Sequence, residues 1–452
     1  MKKISFITYG CKLNYSEFST IKRNLLNVGY KIVGFDYSSQ IYIINTCSIT
    51  HNADNKLLGL IKTIKTNNKK AKIILLGCYP QSLYNKIYIK KIDADDTISS
   101  YSSFLKQVYL VLGNNEKFKL HLFLTNQINK QISVSDLTKY TKYNSSVSFD
   151  YTRTRSFIKI QDGCDYKCSY CTIPNIRGNS ISENIFNIIL TIKKLVLLNI
   201  KEVVLTGINL GDFINYGIEN KKYDFFYLIK IIEKKLTTKI RIRISSIEPN
   251  LLNYKIINFI SKSKLFVPHF HIPLQSGSNE ILKKMRRRYN PNIYIQKVNT
   301  ILNILPYACI GTDVIVGFPG ENESNFLETF NLLKKINISY IHVFKYSDRD
   351  NTYSNSMKNK INPNICFQRS QIIRFLSKKK RKIFYLKNKL QIYRVLFEKT
   401  NNRYGEIFGF TENYIRVRVR VNIPFPKNIL NTWKLVRLLK IDTHNSYLSE
   451  LF

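Results

Sequence analysis

Three cysteines, Cys164, Cys168 and Cys171, lie close together in the spacing C-x3-C-x2-C, and the next cysteine along the chain is Cys309. Thiolates this close together can bind one iron–sulfur cluster. A four-iron cluster held by three cysteines has one iron without a protein ligand, and an open metal position is where catalytic metal sites bind substrates or cosubstrates. Structural zinc is the alternative, but it usually requires a second cysteine or histidine pair, and none follows here. The spacing therefore favours an iron–sulfur cluster with an open iron.

The residues around these cysteines resemble a known family. The stretch 161–174 reads QDGCDYKCSYCTIP and is followed by Arg177 and Gly178. Its cysteine spacing resembles the signature of the radical S-adenosylmethionine (SAM) enzymes, and its other residues resemble the methylthiotransferase branch. The resemblance implies that Cys164, Cys168 and Cys171, the central trio, hold a [4Fe–4S] cluster whose open iron binds SAM.

The first 80 residues predict a parallel α/β domain. Apolar strands are expected at Ile4–Thr8, Ile41–Thr46 and Lys72–Gly77, with helical patterns at Ser16–Val28 and Ala53–Asn67 between them. Loops at the carboxyl ends of parallel strands meet at one edge of the sheet, so residues that follow these strands are expected to converge. A cysteine follows each of the three strands: Cys11, Cys47 and Cys78.

This N-terminal trio of cysteines predicts a second cluster site with an open iron. Each cysteine taken alone is more typical of a small buried hydrophobic residue. The segments TYGCKLN at 8–14, NTCSIT at 45–50 and GCYPQ at 77–81 are, however, similar to the three cysteine motifs of the methylthiotransferases. That resemblance implies that the N-terminal trio holds an auxiliary [4Fe–4S] cluster.

From Phe157 onward the pattern alternates between strand and helix, which predicts a partial (β/α)6 barrel. Chemistry in barrel folds takes place at the carboxyl ends of the strands, and the central trio follows the first strand. The strands are predicted at Phe157–Gln161, Glu202–Gly207, Arg241–Glu248, His269–Gln275, Cys309–Pro319 and Tyr340–Ser347.

Polar residues and glycines follow four of these strands. Any one of these segments alone is typical of an ordinary turn or helix cap. In the family the matching segments line the SAM pocket. His269 and His271 lie on one side of their strand, where structural hydrogen bonding is favoured over a metal pair; Cys309 and Cys366 match no cluster motif and are predicted to be ordinary thiols. The residues predicted to bind SAM are Tyr170, Thr206, Gly207, Ser245, Glu248, His271, Gln275, Arg286, Val316 and Gly317.

The last 60 residues predict a small five-stranded β-barrel. Residues 415–421 read IRVRVRV, which places arginines on one face and valines on the other. A basic barrel face suits a nucleic-acid backbone, although alternation of this kind also makes a strand soluble. The segment resembles a TRAM domain, the RNA-binding module of the family. The preceding basic helix, Ile365–Leu390, includes the run Lys378–Lys382, which faces either solvent or phosphate.

Composition indicates a nucleic-acid partner. The chain has 71 lysines and arginines against 30 aspartates and glutamates, a formal net charge of +41. Such a surface attracts polyanions, although lysine, asparagine and isoleucine are enriched throughout, which is also typical of general compositional drift. No apolar run reaches the roughly 18–20 residues of a membrane span, and the N-terminus does not fit a signal peptide. A cytoplasmic protein without a membrane partner is therefore expected.

Three domains are predicted: 1–135 with the auxiliary cluster, 150–385 as the radical SAM partial barrel, and 388–452 as the TRAM domain. Residues 84–150 have the weakest pattern. They include the acidic stretch Asp93–Asp96 and a predicted linker at Asn126–Ser148.

Within the family, LTGINLG at 205–211 and SSIEP at 245–249 are most similar to the bacterial enzymes that act on N6-threonylcarbamoyladenosine in tRNA. That resemblance implies two [4Fe–4S] clusters, SAM, a tRNA substrate, a reductant protein and a monomer. A SAM-derived radical would activate C2 of the adenine, which then receives sulfur from the auxiliary cluster and a methyl group from a second SAM. The two trios should therefore face one shared cavity.

Two alternatives remain open from the sequence. The first is methylthiolation of isopentenyladenosine in tRNA or of a ribosomal protein. The second is a non-enzymatic iron–sulfur protein that binds RNA or transfers electrons. Electron carriers usually saturate their irons with cysteine, so two trios that each lack a fourth ligand argue against the second alternative.

Overall fold

The computed structural model describes residues 3–35, 39–48, 50–85, 106–128, 130–137, 142–149, 154–217, 220–236, 239–401, 405–420, 429–442 and 446–451. The chain forms two compact units. The first unit comprises Met1–Phe149, Phe157–Glu183 and Ser347–Ser356, and the second comprises Asp150–Ser156, Asn184–Tyr346 and Met357–Phe452. Within the described ranges, no helix has the length and apolar character needed to cross a membrane.

The first unit is built on a six-stranded parallel sheet with the order β2-β1-β3-β4-β5-β6. Both of its faces are covered. Tyr42 and Ile44 of β3 pack in one cluster with Leu57, whereas Ile43 belongs to the cluster on the other face together with Ile21. Burial on both faces explains why these strands are continuous apolar runs rather than alternating ones. The elements are β1 (Lys3–Thr8), α1 (Lys12–Asn27), β2 (Lys31–Val33), β3 (Ile41–Thr46), α2 (His51–Asn67), β4 (Lys72–Gly77), α3 (Cys78–Tyr84), β5 (Leu110–Leu112), α4 (Leu120–Leu124) and β6 (Ile132–Ser133).

The segment Asn126–Ser148 is not a simple linker. It contributes β6 to the sheet and β7 (Ser146–Val147), which pairs antiparallel with β8 (Arg155–Lys159). Short polar strands of two residues leave no periodic pattern, which is why the sequence suggested a linker. The acidic stretch Asp93–Asp96 lies outside the described residues. The remaining elements of the first unit are β9 (Gln161–Asp162), α5 (Ile173–Arg177) and β10 (Ile181–Ser182).

The second unit repeats strand and helix, as the pattern predicted. Its parallel strands pair as β11 with β14, and as β15 with β16 and β17. Most of them end a few residues earlier than predicted, because the polar strand-end segments form turns. The elements are α6 (Ile185–Leu197), β11 (Glu202–Thr206), β12 (Ile214–Tyr216), β13 (Lys222–Asp224), α7 (Phe225–Lys235), β14 (Arg241–Ile244), α8 (Tyr254–Lys262), β15 (His269–His271), α9 (Asn279–Lys284), α10 (Pro291–Ile304), β16 (Cys309–Val316), α11 (Glu323–Lys335), β17 (Tyr340–Lys345) and α12 (Pro363–Lys387).

The C-terminal strands close into a five-stranded barrel with the order β18-β19-β20-β22-β21. The mixed α/β fold class with a small all-β barrel at the C-terminus is thus confirmed. In β20, Val417 and Val419 are buried whereas Arg416 and Arg420 are exposed, as the alternation predicted. Arg418 instead forms ion pairs with Glu406 at 2.6 Å and with Asp442 at 3.1 Å. The basic face of the strand is therefore narrower than expected. The strands are β18 (Ile392–Asn401), β19 (Glu406–Phe410), β20 (Arg416–Arg420), β21 (Trp433–Ile441) and β22 (Tyr447–Leu451).

Helix α12 contains the run of basic residues Lys378–Lys382. Lys380 is buried, and its Nζ donates hydrogen bonds to the carbonyl oxygens of Lys334 and Ile336 at 2.7 and 2.6 Å. These carbonyls end α11, so Lys380 caps that helix, and burial lowers its pKa. The other four residues of the run are exposed. The run is therefore structural at one position and solvent-facing at the rest.

Candidate metal centres

The N-terminal trio follows three neighbouring strands of the parallel sheet. β3 lies between β1 and β4, with Thr8 paired to Asn45 and Thr46 paired to Gly77, so the carboxyl ends of these strands are adjacent. Cys11 and Cys78 come directly before α1 and at the start of α3. The structure therefore brings Cys11, Cys47 and Cys78 to one edge of the sheet.

The thiols of this trio differ in their surroundings. Cys78 is buried, and Nδ2 of Asn114 lies 3.8 Å from its Sγ. Cys11 has exposed surface, although the protein atoms on one side crowd its thiol enough to raise its pKa by desolvation, an effect that the positive charge of Arg177 opposes. The exposed side of Cys11 leaves its sulfur accessible, because a cluster needs only one open side to reach it.

Gly10 allows the loop before Cys11 to lie close to Cys47. Its φ of +114° is in the left-handed region that favours glycine, and a Cβ there would lie 2.6 Å from Nδ2 of Asn14 and 3.2 Å from Cβ of Cys47. The three donors and this cradle suit an iron–sulfur cluster.

Replacing Gly10 with alanine is therefore expected to disrupt the N-terminal trio. After anaerobic reconstitution, iron should fall from about eight to about four per chain, because only the central trio still holds four irons. Gly59→Ala is the matched control: it lies in α2 with nothing within 4 Å of the added Cβ, and should retain all the iron. Full iron loading of the Gly10 variant would contradict this role.

The loop of the central trio is a tight turn that glycine allows. Gly163 has a φ of +69°, and a Cβ there would lie 1.9 Å from the carbonyl oxygen of Asn179. The amide of Cys164 donates to the Gly178 carbonyl at 3.1 Å, and the amide of Tyr166 donates to Sγ of Cys164 at 3.4 Å. Amide donors toward a sulfur favour its thiolate form, which is the form that binds iron. Donor set and turn both fit a cluster ligated by three cysteines.

Arg177 connects the surroundings of the two trios within the first unit. Its guanidinium donates to Oδ1 of Asn14 at 2.6 Å and to Oε1 of Glu17 at 3.1 Å, on the helix that begins after Cys11. It also donates to Oδ1 of Asp162 at 2.9 Å, two residues before Cys164. Arg177 follows the cysteine motif in the sequence, but the motif alone predicts no role for it. The geometry makes it the link between the start of α1 and the central loop.

The charges around Arg177 form a buried network. Lys117 lies 2.6 Å from Oε2 of Glu17, and Lys159 lies 3.2 Å from Oε1 of Glu17 and 2.8 Å from Asp162. Burial by itself would raise the pKa of Glu17, but these cations hold it well below its usual range. Three cations face two carboxylates, and one of these cations, Lys117, donates to Oδ1 of Asn114 at 2.8 Å, which in turn contacts Cys78. An excess cation at this place suits anionic thiolates.

A segment between β17 and α12 also contacts both cysteine loops, although no sequence motif marks it. Arg349 forms an ion pair with Asp54 at 2.6 Å and donates to the carbonyl oxygen of Ser48, next to Cys47, at 3.0 Å. The amide of Ser354 donates to the carbonyl of Ser169, inside the central loop, at 2.7 Å. The contacts of this segment join residues that are about 180 to 300 positions apart in the chain. No local sequence pattern can therefore predict them.

Several residues predicted to bind SAM lie at strand ends of the second unit. Glu248, after β14, forms an ion pair with Arg287, whose side chain is 4% exposed. Arg286, the neighbouring residue, has a φ of +57°. The amide of Gly317 donates to Oε2 of Glu321 at 2.6 Å, and Glu321 is paired with Arg369 at 2.8 Å.

The other predicted SAM ligands are distributed as follows. Gln275 has a φ of +65° and its amide donates to the Asp313 carbonyl at 2.8 Å. His271 contacts two protein side chains, described below. Tyr170 belongs to the first unit, next to Cys171. The assignment of these residues to SAM stays a prediction; the remaining ones, at the ends of β11, β14 and β16, are Thr206, Gly207, Ser245 and Val316.

Two known families match parts of this chain. Residues 3–99 match the family described as "Uncharacterized protein family UPF0004", and residues 158–333 match the "Radical SAM superfamily". The chain is similar in fold to the radical S-adenosylmethionine methyltransferase TsrM from Kitasatospora setae, with a TM-score of 0.54, 9% identity, and coverage of 78% of this chain and 74% of that one.

Sequence relatives include the threonylcarbamoyladenosine tRNA methylthiotransferases MtaB of Aquifex aeolicus (35% identical over 92% of this chain and 96% of the relative) and of Bacillus subtilis (31% over 92% and 90%). A tRNA-2-methylthio-N(6)-dimethylallyladenosine synthase of Fusobacterium nucleatum is 29% identical over 96% of this chain and 99% of the relative. Because identity above 30% extends over nearly the full length of the two MtaB relatives, the chain belongs to the radical SAM methylthiotransferase family.

Proposed function

We propose that this enzyme is a tRNA N6-threonylcarbamoyladenosine methylthiotransferase, which adds sulfur and a methyl group at C2 of that adenosine. The observation that supports it most strongly is the presence of both cysteine trios in one compact unit, linked through Arg177. The MtaB relatives of Aquifex aeolicus and Bacillus subtilis are named as threonylcarbamoyladenosine tRNA methylthiotransferases, which supports the same substrate here.

Each trio would hold one [4Fe–4S] cluster. When bound, the central cluster and SAM supply radical chemistry at carbon, and the auxiliary cluster supplies sulfur. The residues of this chain position these groups: Gly10 and Gly163 shape the two cysteine loops, and Arg177 fixes the distance between α1 and the central loop. At the strand ends of the second unit, Glu248 and Gly317 are proposed to contact SAM.

The C-terminal barrel is proposed to bind the tRNA. Arg416 and Arg420 are exposed on one face of β20, and the large positive charge of the chain favours a polyanionic partner. An adenine in a single-stranded loop can leave its stack and enter a protein site at small cost. The enzyme is further proposed to work in the cytoplasm, as a monomer, with a separate protein as reductant.

The test is anaerobic incubation of the reconstituted protein with SAM, a reductant and tRNA, followed by mass spectrometry of the nucleosides. Formation of 5′-deoxyadenosine and of 2-methylthio-N6-threonylcarbamoyladenosine is expected. The triple variant Cys11→Ala/Cys47→Ala/Cys78→Ala should still produce 5′-deoxyadenosine but no methylthiolated nucleoside. Cys309→Ala is the control for loss of a thiol, since Cys309 is buried in the core.

The same assay decides between the alternatives. If the methylthio group is found on dimethylallyladenosine instead, this enzyme has the substrate named for the Fusobacterium nucleatum relative. Absence of 5′-deoxyadenosine from protein with a full complement of iron would contradict the enzymatic function.

A further inference from the structure

Three potential metal ligands converge in the second unit, on neighbouring strands and apart from all six cysteines. His271 is on β15, Asp313 on β16 and His342 on β17. Asp313 pairs directly with His342, and His271 pairs with Gly311, two positions before Asp313. Side chains two residues apart on a strand share a face, and directly paired residues share one as well. The register therefore places all three side chains on one face of the sheet.

The distances between the ligand atoms fit coordination of one cation. Nε2 of His271 lies 3.0 Å from Oδ1 of Asp313, and Nδ1 of His342 lies 3.2 Å from the same oxygen. All three atoms lie within 4.8 Å of one another. Metal–ligand bonds of about 2.1 Å that meet at right angles place two ligand atoms about 3 Å apart, so this spacing matches adjacent positions of an octahedral site.

The orientation of His271 is set by a partner outside the trio. The hydroxyl of Tyr340 lies 3.2 Å from Nδ1 of His271 and 3.1 Å from Nε2 of His269. If Nδ1 of His271 donates its hydrogen to this hydroxyl, Nε2 keeps its lone pair directed toward Asp313. Histidine ligands of metals are typically held in this way, with the second ring nitrogen donating to a fixed acceptor.

One side of the trio is accessible to solvent. The side chain of His342 is 53% exposed, that of Asp313 is 23% exposed and that of His271 is 11% exposed. A cation bound here would have three protein ligands on one side and open positions on the other. Two histidines and one carboxylate in this arrangement are typical of Fe(II) sites, and nitrogen and oxygen ligands of this kind also suit Mn(II) and Zn(II).

We propose that His271, Asp313 and His342 bind one divalent first-row metal ion, with an open face for water or a substrate oxygen. This assignment removes His271 from the residues predicted to contact SAM and makes it a cation ligand. Sequence periodicity placed only His269 and His271 on one side; the carboxylate and the second ligand histidine come from strands about 40 and 70 residues further on. The competing explanation is a purely hydrogen-bonded cluster in which Asp313 accepts from both imidazoles.

Manganese is the probe that separates these explanations. Mn(II) is a hard ion that prefers nitrogen and oxygen to thiolate, so the cysteine sites do not compete for it. The full chain, with both clusters reconstituted and oxidised and with RNA removed, is titrated with Mn(II) and followed by electron paramagnetic resonance. Saturable uptake of one Mn(II) per chain is expected, with modulation from directly bound imidazole nitrogen in the spin echo.

Asp313→Asn and His342→Gln should each abolish this uptake, and Tyr340→Phe should weaken it about 10-fold or more, as loss of an orienting partner does. His342→Gln is the decisive variant, because His342 is the most exposed of the three ligands. His51→Gln, which also replaces an exposed histidine, is the matched control and should bind like the parent. Absence of saturable uptake by the parent, or equal uptake by parent and His342→Gln, would leave only the hydrogen-bonded cluster and overturn the proposal.

Discussion

Replacing Glu17 with glutamine is expected to destabilise the first unit by about 3–5 kcal/mol, the usual effect of removing one partner from a buried ion pair. Both oxygens of Glu17 are engaged: Oε1 with Arg177 and Lys159, and Oε2 with Lys117. The neutral side-chain amide of the glutamine would leave Asp162 as the one carboxylate facing these three cations, and no water could solvate them. A fall in the first thermal transition of roughly 6–20 °C corresponds to that free energy for a unit of this size.

The same substitution should change the pH dependence of stability. The pKa of Glu17 is lower in the folded than in the unfolded state, so its contribution is fully present above about pH 4.3 and is lost as the pH falls through the folded-state pKa. Glu17→Gln removes this contribution at every pH. The difference in melting temperature between parent and variant should therefore be largest near neutral pH and shrink on acidification.

Glu328→Gln is the matched control, because Glu328 is exposed on α11, and its substitution should change stability by no more than about 0.5 kcal/mol. Cluster content gives a second measurement. Since Glu17 holds Arg177, which joins α1 to the central loop, the Glu17 variant should also retain less iron at a temperature where the parent retains all of it. A Glu17 variant that melts like the Glu328 variant would show that the network does not stabilise the unit.

The strand ends that carry cysteines could be predicted because they depend on local signals. Apolar runs such as Ile41–Thr46 predict buried strands, and the parallel topology then requires that Cys11, Cys47 and Cys78 share an edge. Glu17, Lys117 and Lys159 could not be assigned in this way. A charged residue has the same appearance in the sequence whether it is solvated or buried, and their partners lie about 100 to 160 residues away.

The metal-ligand trio and the basic strand show the same limit. Alternation identified the inward and outward faces of Ile415–Val421, and the structure agrees for its described residues, 415–420. It could not show that Arg418 is neutralised by Glu406 and Asp442, because that depends on which strands become neighbours in the closed barrel. Asp313 and His342 are likewise brought together by the register of two strands. Periodicity thus predicts faces, whereas function at these sites depends on which faces meet.

Replacing Glu202 with leucine is expected to destabilise the second unit by about 3–5 kcal/mol. Glu202, on β11, is fully buried and forms ion pairs with Arg241 and Arg243 of the neighbouring strand β14. Burial by itself would raise the pKa of Glu202, but the two arginines hold it far below its usual range. Without the carboxylate, two buried guanidiniums would repel each other with no counter-charge between them. Thermal unfolding of the second unit measures the loss.

The arginines have a further role, which a triple variant isolates. Nη2 of Arg241 donates to the carbonyl oxygen of Phe410 at 3.0 Å, and Nη1 of Arg243 donates to that of Glu412 at 3.1 Å, so both hold the C-terminal barrel. Apolar residues in place of a buried ionic group are often neutral or stabilising, by about 1–4 kcal/mol. Arg155, which lies 3.9 Å from Glu202, keeps Glu398 as its counter-charge at 3.0 Å. Glu202→Leu/Arg241→Met/Arg243→Met should therefore recover most of the stability lost in Glu202→Leu.

The triple variant should nevertheless hold the barrel less firmly, because it lacks the guanidinium donors of Arg241 and Arg243 to the carbonyl oxygens of Phe410 and Glu412. Limited proteolysis between α12 and β18 is then expected to release the C-terminal barrel from the triple variant faster than from the parent, although both melt at similar temperatures. Equal protease resistance with restored stability would mean that the arginines only neutralise Glu202. Protection of the parent combined with cleavage of the triple variant would show that Arg241 and Arg243 also hold the barrel to the strands of the second unit.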